Sequence, residues 1–281
     1  MDLSRGICVA AAVGLGLALG ACEGLVDSPG YRLIGLTDKN EIVAFTAEAP
    51  GLVRIASISG ASDRIVGIDF RLDRELYGLA ADGSIYRLDT ATGAARRTAA
   101  ARQAVPAAPQ IVDFDPHFDG FRVIDSDGRN IRINVDNGQV YVEGQIAYGP
   151  RDRNAGKKPD LSAGAYINAY PGSFATQLFA FDSANGVFVI QDPPETGRLA
   201  TVGSFGMPAG TRVAAFDVIT DIEYEYQGFA VVGSALYRVN LGRGTLTKIG
   251  DIGIDAGRKI VDIAVVPKIY PRPPKPGGGY E

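Results

Sequence analysis

Between Tyr31 and Val266 the chain repeatedly alternates apolar and polar residues over short runs, among them Ser84–Asp89, Phe229–Val232, Ser234–Asn240 and Lys259–Val266. A period of two puts every other side chain on one face of a strand. No long stretch after Cys22 carries the 3.6-residue period of an amphipathic helix. The runs IVAF, IYRLD, IRIN, LFAFD and LYRVN lead to Gly51, Gly93, Gly138, Gly186 and Gly244, spaced 42, 45, 48 and 58 residues apart. Each glycine is expected to supply the positive φ of a hairpin turn, with the preceding Asp or Asn bonding back to the backbone. Short strands repeating every forty to fifty residues are the pattern of β-propeller blades.

The strands group by fours. Blade two reads IVGIDFR (65–71), ELYGLA (75–80), SIYRLD (84–89) and AARRTA (94–99). Blade three reads IVDFD (111–115), GFRVID (120–125), NIRINV (130–135) and QVYVEG (139–144). Blade four starts at GAYIN (164–168) and continues through 177–182, 186–191 and 198–203; blade five uses 212–218, 228–233, 235–240 and 245–250. The N-terminal part supplies only three strands, and KIVDIAVV (259–266) stands alone at the far end. The expected fold is therefore an all-β propeller of five four-stranded blades, its ring closed by the C-terminal strand completing the first blade. An open β-sandwich or a six-bladed ring is the alternative, because the last spacing is long.

The segment before the first strand changes the picture. Ile7–Ala21 is an apolar run too short for a typical membrane span and suited to the core of a secretory signal. It ends in Leu19-Gly20-Ala21-Cys22, which resembles the lipobox of bacterial lipoproteins. The expected organisation is a lipoprotein signal peptide at 1–21, a lipidated tether at 22–30, the propeller at 31–267 and a Pro/Gly-rich disordered tail at 268–281. By the same resemblance Glu23 lacks the Asp of inner-membrane retention, which implies an exported protein on the periplasmic face of the outer membrane. Cys8 would leave with the signal and Cys22 would carry lipid, so the mature chain has no cysteine pair to cross-link it.

LIGLTDKNEIVAF, IVGIDFR–ELYGL, FDPHFDGFRV, NIRINVDNG, AYINAY, QDPPETG–LATVGSFG and LYRVN together resemble the bacterial domain-of-unknown-function family DUF4394. The resemblance covers about residues 31 to 266. It implies a secreted propeller and no established activity. The family has Asn-Pro where this chain has Asp115-Pro116, which adds a carboxylate.

The inner strands carry the candidate chemistry. Register places Asp69, Asp115 and Asp217 at one position, with Asn168 there in blade four and Ala264 in the closing strand. Asp113 and Asp262 lie two residues back on the same face. Converging carboxylates repel and need a cation, a basic partner or protons. Calcium held by these oxygens in the channel is one reading. The plainer one is that each Asp bonds backbone amides or an arginine such as Arg71 or Arg122 and locks neighbouring blades. The acidic loops 113–120 and 125–130 lack the terminal Glu of a twelve-residue calcium loop and read as turns. His117, the only histidine, is expected at an exposed loop tip. Tyr166 and Tyr170, near the channel mouth, are the aromatic candidates for a sugar platform.

Composition narrows the function. A net charge of −4 on 281 residues argues against a nucleic-acid partner. One His and two Cys exclude a zinc finger or disulfide scaffold. No nucleophile elbow, Cys–His pair or phosphate-cradling loop is present. The expected function is a lipid-anchored envelope propeller acting as a binding or scaffold module for a protein or small-molecule partner. The alternative is a metal-dependent, lactonase-like hydrolase working at the channel acids.

Overall fold

A computed structural model of the chain describes residues 30–169, 176–220 and 225–268. The expected signal peptide, Cys22, the tether as far as Pro29, Tyr170 and the tail beyond Lys268 lie outside the described residues.

The architecture is a five-bladed β-propeller. Blade one combines β1 (Arg32–Thr37), β2 (Glu41–Thr46) and β3 (Ala49–Ser57) with the last strand of the chain. Blade two is β4 (Ile65–Phe70), β5 (Leu76–Ala80), β6 (Ser84–Leu88) and β7 (Ala95–Ala100). Blade three is β8 (Ile111–Asp115), β9 (Gly120–Ile124), β10 (Asn130–Ile133) and β11 (Val140–Val142). A two-residue strand, β12 (Ala147–Tyr148), leads into blade four: β13 (Leu161–Tyr166), β14 (Leu178–Asp182), β15 (Val187–Gln191) and β16 (Arg198–Ser204). Blade five is β17 (Val213–Thr220), β18 (Tyr226–Val232), β19 (Ala235–Val239) and β20 (Leu246–Asp251). The chain then returns as β21 (Ile260–Val265), which pairs antiparallel with β1, Leu33 opposite Val265. This closure leaves no blade with an unfinished sheet, so the ring needs no disulfide.

Each blade buries both faces, and the core is five apolar clusters, one per blade junction. Leu33 and Phe45 of blade one meet Phe229 of blade five. Ile34 and Ile42 meet Ile68 and Tyr86. Tyr77 and Leu79 meet Phe114 and Phe121, Ile111 and Ile124 meet Leu178 and Val189, and Phe181 and Phe188 meet Phe216. Towards the axis the blades converge, and where two inner strands approach most closely only a small residue fits. A Cβ on Gly67 would stand 2.3 Å from the Cβ of Val112.

The recurring turn behaves as its chemistry dictates in blades two, three and five. In blade two Asp89 Oδ1 accepts the N–H groups of Ala91 at 2.9 Å and Thr92 at 2.8 Å, and Gly93 N–H donates to Asp89 O at 2.8 Å with φ +75°. Asn134 with Gly138 and Asn240 with Gly244 repeat the arrangement. Two positions differ from the sequence pattern. Gly51 lies inside β3 and turns nothing. Gly186, at φ +65°, closes the β14–β15 hairpin, one strand earlier in its blade than the other turns. Blade four also begins earlier than expected, at Leu161, and gains a fifth strand because β12 pairs parallel with β16.

Candidate functional site

The innermost strand of every blade has one edge with no strand beside it, so its N–H groups face the channel unpaired. A buried amide without a partner is costly. The channel acids meet this need in a rotary fashion. Asp262 of blade one accepts Ile68 N–H of blade two at 2.8 Å. Asp69 of blade two accepts Phe114 N–H of blade three at 2.7 Å. Asp113 of blade three accepts Tyr166 N–H of blade four at 3.0 Å. Asp217 of blade five accepts Val265 N–H of the closing strand at 2.5 Å. Asp69, Asp217 and Asp262 use their other oxygen on the next N–H of their own strand, Phe70, Val218 and Ile263. Each of the four acids therefore staples two neighbouring inner strands.

These staples crowd charge. Carboxylate oxygens of Asp69, Asp113 and Asp217 all lie within 4.8 Å of one another. The three residues are only 8%, 5% and 6% exposed. None of the four acids has an ion-pair partner among the described residues. Burial, reinforced by the neighbouring carboxylates, holds Asp69 and Asp113 well above the usual carboxylate range. Burial pushes Asp217 up to about 7 against the two N–H bonds it accepts. Asp262 keeps part of its surface on the channel, yet protein surrounds it and raises it well above its ordinary value.

Two residues of the expected ring sit elsewhere. Asn168 lies beyond the end of β13, at φ +61°, and accepts a hydrogen bond from the Tyr226 hydroxyl at 2.8 Å. Asp115 turns away from the axis into the junction of blades three and four. There Arg122, 1% exposed, donates from Nη2 to Asp115 Oδ2 at 3.3 Å, from Nε to the Tyr166 hydroxyl at 2.9 Å, and from Nη1 to Asn130 Oδ1 at 2.8 Å and to Glu143. The Tyr166 hydroxyl donates to Asp115 Oδ2 at 3.1 Å. Tyr166 is thus a buried link, not a sugar platform. Arg71 pairs with Asp119 and Asp136, both at 2.7 Å, and not with the channel acids. His117 is exposed on the β8–β9 turn.

A cavity of about 90 Å³ opens where the inner strands end, lined among others by Asp69, Asp113, Asp217 and Thr220. At the opposite mouth a groove is lined by Arg64, Arg212 and Lys259, each the residue just before an inner strand. The channel is therefore acidic at the level of the four aspartates, with basic residues at both mouths: Arg71, Arg74 and Lys268 line the cavity where the strands end, and Arg64, Arg212 and Lys259 the groove where they begin.

The family model described as "Domain of unknown function (DUF4394)" matches residues 41–264, from β2 into the closing strand. The chain belongs to the DUF4394 family. This DUF4394 propeller matches no curated protein in sequence. Solved structures it is similar to include a structural-genomics protein of unknown function from Bacteroides thetaiotaomicron, at 14% identity and a TM-score of 0.44, covering 81% of this chain and 60% of that one. Another is a protein from Lactobacillus plantarum, at 15% identity and a TM-score of 0.41, covering 81% and 68%. The chain thus spans about three-fifths of the length of the Bacteroides protein.

The Arg122 cluster of this DUF4394 propeller was only half visible in the sequence. Arg122 was a candidate partner, but Asn130 and Glu143, which complete the cluster, were not singled out. The signal lay in the blade three strands: Arg122 stands directly opposite both Asp113 and Arg132 in the sheet. An arginine enclosed between strands demands carboxylates nearby.

Proposed function

We propose that the chain is a lipid-anchored β-propeller of the cell envelope, held through Cys22 at the periplasmic face of the outer membrane, that works as a binding or scaffold module. The observation that carries this reading is the position of the two chain ends. Arg32 begins β1 and Val265 ends β21 side by side, with Val266 N–H donating to Arg32 O at 2.9 Å. Both ends leave the ring on the face where the inner strands finish. A tether of nine residues, 22–30, extends at most about 30 Å. It would hold that face towards the lipid and present the opposite one. The presented face carries the β5–β6, β9–β10 and β18–β19 hairpins and the basic groove of Arg64, Arg212 and Lys259. A rigid ring displaying loops on a free face suits recognition of an envelope protein or an anionic small molecule. The hydrolase alternative is less well supported, because the channel carboxylates are engaged by N–H groups of neighbouring blades.

The test has two arms. Labelling of cells with a clickable fatty acid should mark the wild-type chain, and Cys22→Ser should lose both the label and the membrane fraction. A photo-crosslinking residue at Asp127, on the presented β9–β10 hairpin, should capture neighbours that the same residue at Ala91, on the tether side, does not. Unchanged membrane fractionation of Cys22→Ser would sink the anchor. Capture from Ala91 alone would sink the orientation.

A further inference from the structure

We infer that the channel mouth where the inner strands begin is a binding site for a small phosphorylated molecule, its phosphoryl group held by Arg64, Lys259 and Arg212. The inference deepens the binding reading proposed above and rests on it, but not on the lipid anchor. Position in the ring brings the three cations to one place. Each stands immediately before the inner strand of its blade, and blades two, one and five are consecutive around the axis. Their side chains line one groove of about 380 Å³, to which all five blades contribute. The backbone there also departs from regular pairing. Four of the five inner strands carry an extra residue at this end, Val66, Ser162, Ala214 or Val261, that drops out of the ladder to the neighbouring strand. All four line the same groove. A bulge bends its strand and re-aims the side chains beside it. Arg64, Arg212 and Lys259 each lie two residues before a bulge, and blade four has Asp160 at that position.

The cations are available. Arg64 Nη2 donates to Ala107 O at 3.0 Å, which holds the guanidinium across the junction with blade three, and its other N–H groups make no hydrogen bond among the described residues. Lys259 is fixed through its backbone, whose N–H donates to Asp38 Oδ1 at 3.0 Å, while its ammonium has no carboxylate partner among the described residues. Arg212 has only a loose contact with Asp160, at 3.6 Å between two exposed side chains. Asp38 is the one carboxylate in the lining, so the groove carries a net positive charge of about two. A phosphate monoester brings nearly two negative charges at neutral pH, and the guanidinium fork matches its oxygens. The groove exceeds a phosphate ion and falls in the size range of small-molecule sites, which leaves room for an organic part. Deeper in the channel, burial holds Asp113 and Asp262 well above the usual carboxylate range, which favours their uncharged forms and weakens their repulsion of an anion at the mouth. The other mouth differs. There Arg71 is engaged by Asp119 and Asp136, and three of the channel aspartates line the smaller cavity.

Titration calorimetry of the full chain in detergent at about pH 7, with glycerol phosphate, inorganic phosphate and succinate as probes, tests this. The expected result is saturable uptake of about one glycerol phosphate per chain, weakening as salt is added. Inorganic phosphate should bind about threefold or more weakly, since it leaves the rest of the groove empty, and succinate, a dianion of different shape, about tenfold or more weakly. Arg64→Gln and Lys259→Gln should each lower affinity for glycerol phosphate by about tenfold. Arg96→Gln removes the same charge from the exposed outer strand of blade two and should change nothing. Asp160→Asn releases Arg212 and should tighten binding by about threefold, a gain that damage to the fold would not produce. No saturable uptake of glycerol phosphate up to about 10 mM would overturn the proposal, as would uptake that Arg64→Gln and Lys259→Gln both leave intact. Inorganic phosphate bound as tightly would make the free ion the ligand, and succinate bound as tightly would remove the phosphoryl preference; either result overturns the assignment. None of these outcomes affects capture of a neighbour from Asp127, so the binding role and this ligand fail separately.

Discussion

Arg122 is 1% exposed, and it keeps its charge because Asp115, Glu143, Asn130 and the Tyr166 hydroxyl surround its guanidinium. Such a group contributes less by existing than its loss would cost, because removal strands the carboxylates in a dry junction. Arg122→Met should therefore destabilise the ring by about 3–5 kcal/mol, measured as the denaturant midpoint at constant slope. Adding Asp115→Asn and Glu143→Gln to that variant should restore part of the loss, since the penalty is unpaired charge and not missing volume. A more exposed pair behaves differently. Arg258 donates from Nε to Glu41 at 2.7 Å and from Nη2 at 3.0 Å, joining β2 to the segment that leads into β21. That bonding holds the Glu41 carboxyl below its ordinary range. A carboxyl whose pKa is lower folded than unfolded stabilises above the unfolded value and loses that contribution as pH falls towards the folded one. Glu41→Gln should thus lower the melting temperature at pH 7 by about 1–2 °C, as exposed pairs do. It should also flatten the melting curve's dependence on acid between about pH 5 and pH 3. An unaltered acid limb would mean that the pair does not form in solution.

At the scale of elements, the closeness of the inner strands is the constraint that five blades impose. Gly67 of β4 lies so near Val112 of β8 that a side chain must displace one strand or the other. Gly67→Val should cost about 1–3 kcal/mol by overpacking, read from the same denaturation midpoint, whereas an Ala at exposed Gly233, far from any neighbour but at φ +63°, would cost only backbone strain. This crowding also explains how far the sequence could be read. Alternation and Asx–Gly turns located most strands because each hairpin contains its own signal, as in Asp89 to Gly93. Blade four was placed late because LSAGAYIN is built of small residues, chosen for closeness to the axis, and small residues weaken the alternation that marks a strand. The two-residue β12 is too short to carry any period. The site was legible to the same depth. Asp69 and Asp217 follow from alternation within their own strands. That Asp113, and not Asp115, completes the cluster depends on the stagger between blades, which no single strand's pattern contains. Arg122 supplied the missing competition, drawing Asp115 off the axis.

For the whole molecule, closure is the property on which the other contacts depend. β21 is the innermost strand of blade one, it carries Asp262, and its Val265 N–H donates to Asp217 Oδ2. Removing it takes away one sheet edge, two of the staples and part of the apolar clusters at two junctions, those of Leu33 with Phe229 and of Ile34 with Ile68. A chain ending at Gly257 should therefore lose cooperative unfolding and expose the β1 edge to other chains, visible as concentration-dependent association in sedimentation. Shortening alone would not prove that closure is the cause, because any truncation removes contacts. A circular permutant separates the two. The ends already lie side by side, Val266 N–H on Arg32 O, so a short Gly/Ser linker from Val266 to Arg32 can join them without strain. Reopening the ring within the exposed connection 102–104, between blades two and three, makes β8 the first strand and moves β21 to the interior of the sequence. If ring closure and not chain order holds the molecule together, the permutant should melt cooperatively as a monomer, within about 5 °C of the original. A permutant that fails to fold cooperatively, although the original chain does, would instead make the last strand a late-docking clasp, and the stability of the ring would then depend on the order of synthesis.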